Sequence, residues 1–205
     1  MICGLSRKVK EVLPFDGDIK SVNKTYYDKN SNVVKQAIQN NAPGEAEHFK
    51  VTEFKYDAMG NVLASIGRDS GGDSVVQYEY NKANQPTKMI TGLSAYSENQ
   101  TGGNVTTYQY QDGFLMSITD PLGQSEYYTY DWLGNMLTKT DRNETVHTYD
   151  YGFYGLEETT AGILKTTTAY DNLGRVTNQS QYEDDALTDS IIYAYDAFGR
   201  VISET

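Results

Sequence analysis

Aromatic and polar residues alternate along this chain in short runs. Phe54/Tyr56, Tyr78/Tyr80, Tyr108/Tyr110, Tyr128/Tyr130 and Tyr193/Tyr195 each stand two positions apart, with a small or polar residue between them. A period of two sets both rings of a pair on one face of a β-strand. Turn-forming Asp, Asn or Gly follows each pair, and then a second apolar run such as Val62-Leu63 or Val201-Ile202. This pattern predicts antiparallel hairpins from end to end, and no segment carries a convincing helical period.

Aligning the runs on tyrosine exposes a repeat. Tyr-Asp opens the unit at Tyr27, Tyr56, Tyr130, Tyr170 and Tyr195, and weaker copies begin at Tyr80, Tyr110 and Tyr151. The spacing is elastic, as expected where loops vary around a constant strand unit. The Asp is expected to accept hydrogen bonds from the backbone two residues on and so to start a turn. Four positions after the tyrosine, Gly60, Gly134, Gly174 and Gly199 supply a residue able to take positive φ and close the hairpin.

The predicted fold class is all-β, with consecutive antiparallel hairpins forming one curved, twisted continuous sheet. About eight hairpin units occupy residues 25–205, and residues 1–24 form an N-terminal cap or a degenerate repeat. The polar stretch 92–106 reads as a long hairpin loop, and composition marks no domain break. A single hairpin is not self-sufficient. Ordering about 20 residues costs on the order of 1–2 kcal/mol each, whereas a fully buried apolar side chain returns only about 1.5–3 kcal/mol. Stability has to come from stacking each hairpin on the next. The open edges of such a sheet invite self-association.

Composition narrows the function. Tyrosine supplies 18 of the aromatic residues against six Phe and one Trp, and only 38% of residues are hydrophobic. Rings with a polar tip suit half-buried strand faces better than a thick sealed core. A formal charge of −11 argues against nucleic acid as a partner. No stretch is long and apolar enough to be a membrane span, and Met1–Leu13 has no continuous apolar run of the kind a signal peptide needs.

Catalytic and metal signals are weak. His48 and His147 lack local partners and read as ordinary strand or loop residues. Glu183-Asp184-Asp185 with Asp189, and Asp69-Ser70-Gly71-Gly72-Asp73, read as turns and solvated loops before they read as cation sites. Cys3 has no nearby His to activate it. No phosphate loop, dinucleotide fingerprint or nucleophile elbow occurs. The expectation is no enzyme activity, no catalytic residue, no metal and no cofactor.

These repeats, together with Ser117-Ile118-Thr119-Asp120-Pro121-Leu122-Gly123-Gln124 leading into Tyr128-Thr129-Tyr130-Asp131, resemble the YD-repeat or RHS-repeat family. That family includes bacterial polymorphic toxins, wall-associated proteins, the shell component of insecticidal toxin complexes, and teneurins. The resemblance implies a long sheet spiralling into a hollow shell that encloses a toxic domain or presents an adhesive surface. It implies a structural segment of a secreted or cell-surface bacterial protein, whose partners are further YD repeats or a cargo domain of a longer chain. The chain departs from the family in having no stretch like the RHS-associated core. Asp120-Pro121 reads as a turn, not as a cleavage motif. About eight repeats would build an arc of such a shell. An alternative from another class is a carbohydrate-binding or adhesive module that stacks glycans on the tyrosine face.

Overall fold

The structure, a computed structural model, describes residues 7–14, 20–39, 49–69 and 71–205; Cys3, His48 and Ser70 lie outside them. It contains seventeen β-strands among the described residues and no helix. The chain divides into two compact units, Met1–Thr107 and Tyr108–Thr205, with the division falling inside one strand.

In the first unit, β1 (Arg7–Pro14), β2 (Lys20–Tyr27), β3 (Val33–Gln39), β4 (Phe49–Tyr56), β5 (Val62–Asp69), β6 (Gly72–Tyr80) and β7 (Pro86–Leu93) form an antiparallel meander. The first residues of β8 (Asn104–Gln111) extend it by pairing with β7. Residues 20–24, read from the sequence as part of an N-terminal segment, belong to β2 and pair with β1, and Asn23 and Lys24 pair with β3 as well. Period-two alternation, with a register shift between β6 and β7 that brings in Leu93, builds a small core: Ala64 and Ile66 of β5, Val75 of β6, and Ile90 and Leu93 of β7 are buried together. The loop between β7 and β8 is shorter than 92–106, spanning 94–103, and it folds back. Tyr96 packs on the core cluster, and the Gln77 side-chain amide donates to the Ser97 carbonyl at 2.7 Å.

In the second unit, β9 (Phe114–Thr119), β10 (Ser125–Tyr130), β11 (Met136–Thr140), β12 (Val146–Tyr151), β13 (Leu156–Ala161), β14 (Leu164–Tyr170), β15 (Val176–Glu183), β16 (Ala186–Tyr195) and β17 (Val201–Glu204) run as a second antiparallel meander. Its side chains are almost all exposed or half-buried. Among the described residues only Ser117, Tyr128 and Ser180 are buried here, so strand ladders and cross-strand pairs carry most of the cohesion. Thr129/Thr138 and Thr148/Thr160 show how, with hydroxyls 2.7 Å and 2.6 Å apart across neighbouring strands.

Candidate functional site: the tyrosine ladder and the turn clefts

Each Tyr-Asp step builds the same turn. In the Asp57 turn, Oδ1 accepts the backbone N–H of Met59 at 2.8 Å and of Asn61 at 2.9 Å. The Asp57 N–H donates to the Asn61 carbonyl at 3.0 Å. The same bonds form around Asp28, Asn81, Asp120, Asp131, Asp141, Asp171 and Asp196. A positive-φ residue stands three positions after the acid or amide in every case: Gly60 (89°), Gly134 (91°), Gly174 (77°), Gly199 (80°) and Gly123, with Ser31, Asn84 and Glu144 taking the place elsewhere.

The fourth residue after the acid closes the turn with its side chain. Asn61 and Asn135 donate to the second carboxylate oxygen at 2.8 Å and 2.9 Å, and Arg175 and Arg200 do so through Nε at 2.6 Å and 2.7 Å. These bonds favour the charged form and hold the carboxyls of Asp57, Asp131, Asp171 and Asp196 below the ordinary aspartate range. The signal was present in the sequence, since Asn32, Asn61, Asn135, Arg175 and Arg200 align five positions after the tyrosine. The Asp141 turn escapes a tyrosine alignment because Thr140 precedes it.

Two of the weaker copies turn differently, which corrects their reading as the same unit. After Tyr110 the chain reverses at Asp112-Gly113, both at positive φ, because the glycine comes one residue earlier than in the full copies. After Tyr151 it closes through a Gly152 N–H to Gly155 carbonyl bond at 2.9 Å. The copy at Tyr80 keeps the common turn, with Asn81 replacing Asp.

Seven of the eight anchor tyrosines sit where strand register shifts. Tyr27, Tyr56, Tyr80, Tyr130, Tyr151, Tyr170 and Tyr195 pair with Val33, Val62, Pro86, Met136, Leu156, Val176 and Val201 respectively, each just past an irregularity. A bulge re-aims a side chain, and four of these rings converge on one kind of partner. The hydroxyl of Tyr56 donates to the Val33 carbonyl at 2.8 Å, Tyr80 to Val62 at 2.9 Å, Tyr170 to Leu156 at 2.9 Å and Tyr195 to Val176 at 2.6 Å. Every acceptor is the first residue of the strand leaving the preceding turn at that end of the sheet. Tyr130 meets the equivalent residue by its ring, stacking on Phe114 with centroids 5.1 Å apart.

All eight anchors are half-buried. Burial nevertheless raises the phenols of Tyr56, Tyr80, Tyr110 and Tyr130 above their ordinary value. The strongest case is Tyr128, pushed up to about 12 by desolvation and by donating to Glu126 at 2.6 Å.

Open clefts lie between hairpins. One of about 390 Å³ is lined by Gln111, Asp112, Phe114, Tyr130 and Trp132, and one of about 370 Å³ by Leu63, Gln77, Tyr80, Tyr96 and Glu98. Neither gathers the acid, base and nucleophile that catalysis requires. His147 stands 3.4 Å from Asp141, and no group of three His, Cys, Asp or Glu suited to a metal occurs among the described residues. Asp184 and Asp185 form a two-residue turn at positive φ, with Asp185 paired to Lys165 at 3.1 Å.

No family model and no curated protein matches the chain. Solved structures do. The crystal structure of TcdB2-TccC3-TEV aligns with a TM-score of 0.62 and 16% identity, covering 90% of this chain and 10% of that one. TcdB2-TccC3 without its hypervariable C-terminal region aligns at 0.59 and 13%, covering 90% and 12%. The hairpin-repeat fold implied by the YD motifs is therefore the fold these proteins share, and the present chain spans about a tenth of their length.

Proposed function

We propose that this chain is a structural YD/RHS-repeat segment of a secreted or cell-surface protein, forming part of a toxin-encapsulating or wall-associated shell and carrying no catalytic role. One observation supports this above the others: four of the eight anchor hydroxyls are spent on the backbone of the preceding hairpin. A tyrosine that serves only a ligand has no need to bond its polar tip to the neighbouring repeat. Here Tyr56, Tyr80, Tyr170 and Tyr195 each give that tip to a main-chain carbonyl, so the repeated residue joins repeat to repeat. The fold shared with far longer chains supports the same reading, with further repeats or a cargo domain as the partners.

The carbohydrate-binding reading keeps one observation in its favour. Trp132 is 89% exposed beside Tyr130 and Phe114, and an open ring of this kind can stack on a sugar. A glycan array probed with the chain and with Trp132→Ala separates the two. Absence of reproducible binding supports the shell segment. Saturable binding to one glycan class, lost in Trp132→Ala, overturns it in favour of the adhesive module.

A further inference from the structure

Turns in an antiparallel meander alternate between the two ends of the strands. In the second unit, the turns β10–β11, β12–β13, β14–β15 and β16–β17 share one end. Their tips carry Trp132 and Leu133, Phe153, Leu173 and Phe198, which are 89%, 64%, 92%, 76% and 86% exposed. The opposite end presents Leu122, Arg142-Asn143, Ile163 and Asp184-Asp185, apolar tips interrupted by charged ones. One end of this unit thus carries a row of four apolar tips, bounded by the Asp112-Gly113 turn between β8 and β9, and the other is mixed.

The row is built as a continuous surface. Phe153 packs edge-on against Tyr154 at 4.9 Å, and the Tyr154 hydroxyl donates to the Asn172 carbonyl of the next turn at 2.8 Å. Arg175 of that turn lies over the Tyr195 ring at 4.5 Å and reaches toward Gly199 of the turn beyond. These contacts fix the tips at the hairpin period, roughly 9.6 Å for two strand spacings. Asp171 and Asp196 are ion-paired with Arg175 and Arg200 at the same turns, so bare like charges do not crowd that part of the row.

We propose that this row of turn tips is an interface and that its occupant is a second copy of this chain, docked tip row to tip row about a two-fold axis. Two features select that occupant. The first is period: a row of knobs about 9.6 Å apart is matched along its whole length by another row with the same spacing, shifted by half a repeat. The second is area. At roughly 150–250 Å² per aromatic ring, the three rings offer on the order of 600 Å², and Leu133 and Leu173 add to it. That exceeds the few hundred Å² a monomer ordinarily leaves exposed and approaches the roughly 800 Å² per partner of a stable complex. The contact is made by side chains at the strand ends, so it is distinct from pairing through the open edge strands.

Sedimentation velocity of the full chain over a wide concentration range tests this. The expected result is a monomer–dimer equilibrium that tightens with salt, because screening relieves the repulsion between two copies of charge −11. Replacing Trp132, Phe153, Leu173 and Phe198 together by Ser should weaken dimerisation at least thirtyfold and leave the melt unchanged at concentrations too low for the wild type to dimerise, since these side chains are exposed in the single chain. Replacing Leu122 and Ile163 at the other end should leave the dimer intact. A chain monomeric at all concentrations overturns the proposal. So does a dimer that survives the fourfold change, including one abolished instead by a proline in edge strand β17.

Discussion

Removing the Tyr170 hydroxyl while keeping its ring isolates the joint between repeats. In the folded chain Tyr170 is half-buried, donates to the Leu156 carbonyl at 2.9 Å and lies beside Tyr154 with ring centroids 6.3 Å apart. Tyr170→Phe removes one neutral hydrogen bond, worth about 0.5–1.5 kcal/mol net. The Leu156 carbonyl it strands is only half-buried and can turn to water, which places the loss near the low end. Tyr170→Ala also removes the ring. A well-buried aromatic costs about 3–5 kcal/mol on truncation, so half-burial scales that to roughly 2 kcal/mol and the total to about 2–3 kcal/mol. For a chain of this size about 1 kcal/mol moves the midpoint by roughly 2–4 °C. Thermal melts followed by circular dichroism should therefore show a drop of about 1–2 °C for the Phe variant and about 5–10 °C for the Ala variant. Tyr127→Phe, at a site 56% exposed, serves as the control and should not move. Unchanged midpoints for both Tyr170 variants would refute the reasoning, because the rings would then be ornaments on a sheet held by its backbone alone.

Three further outcomes are expected. Gly60→Ala, with open space around it and φ at 89°, should cost about 1–2 kcal/mol of left-handed strain in urea titrations. Gly134→Ala should cost more, since its new methyl meets Phe114 at 3.0 Å; equal costs would mean that the Phe114 stack yields freely. The aspartates of the turns have folded pKa values below their unfolded ones, so their stabilisation is present above about pH 4 and is lost as pH falls through the depressed range. Midpoints should decline below pH 4 and decline less in Asp57→Asn, since Asn81 already makes the same Oδ1 bonds in its own turn. At the alkaline end the Tyr128 pKa is raised, so its contribution is complete below about pH 10 and disappears toward pH 12. Absorbance titration at the phenolate band should show Tyr128 ionising after the other raised tyrosines in the wild type, and Glu126→Gln should move it earlier.

The turns were legible in the sequence because their chemistry is local. Asp57 bonds to atoms two and four residues away and Gly60 adopts its φ within the same loop, so a five-residue window holds every partner. Period-two alternation likewise made Phe54/Tyr56 and Tyr128/Tyr130 strand residues whatever lay beside them. The joints between repeats had no such signal. Tyr56, Tyr80, Tyr170 and Tyr195 donate to carbonyls 23, 18, 14 and 19 residues back, and a backbone carbonyl leaves no trace in residue identity. The division of the chain within β8, and the return of Tyr96 onto Ile66, Val75 and Ile90 in the first unit, were equally silent, because a polar loop covers a core through its path in space. The apolar row at Trp132, Phe153, Leu173 and Phe198 shows both sides of this boundary. Each residue is visible in its own turn, but only the alternation of turns between the two ends of a folded meander brings them into one line.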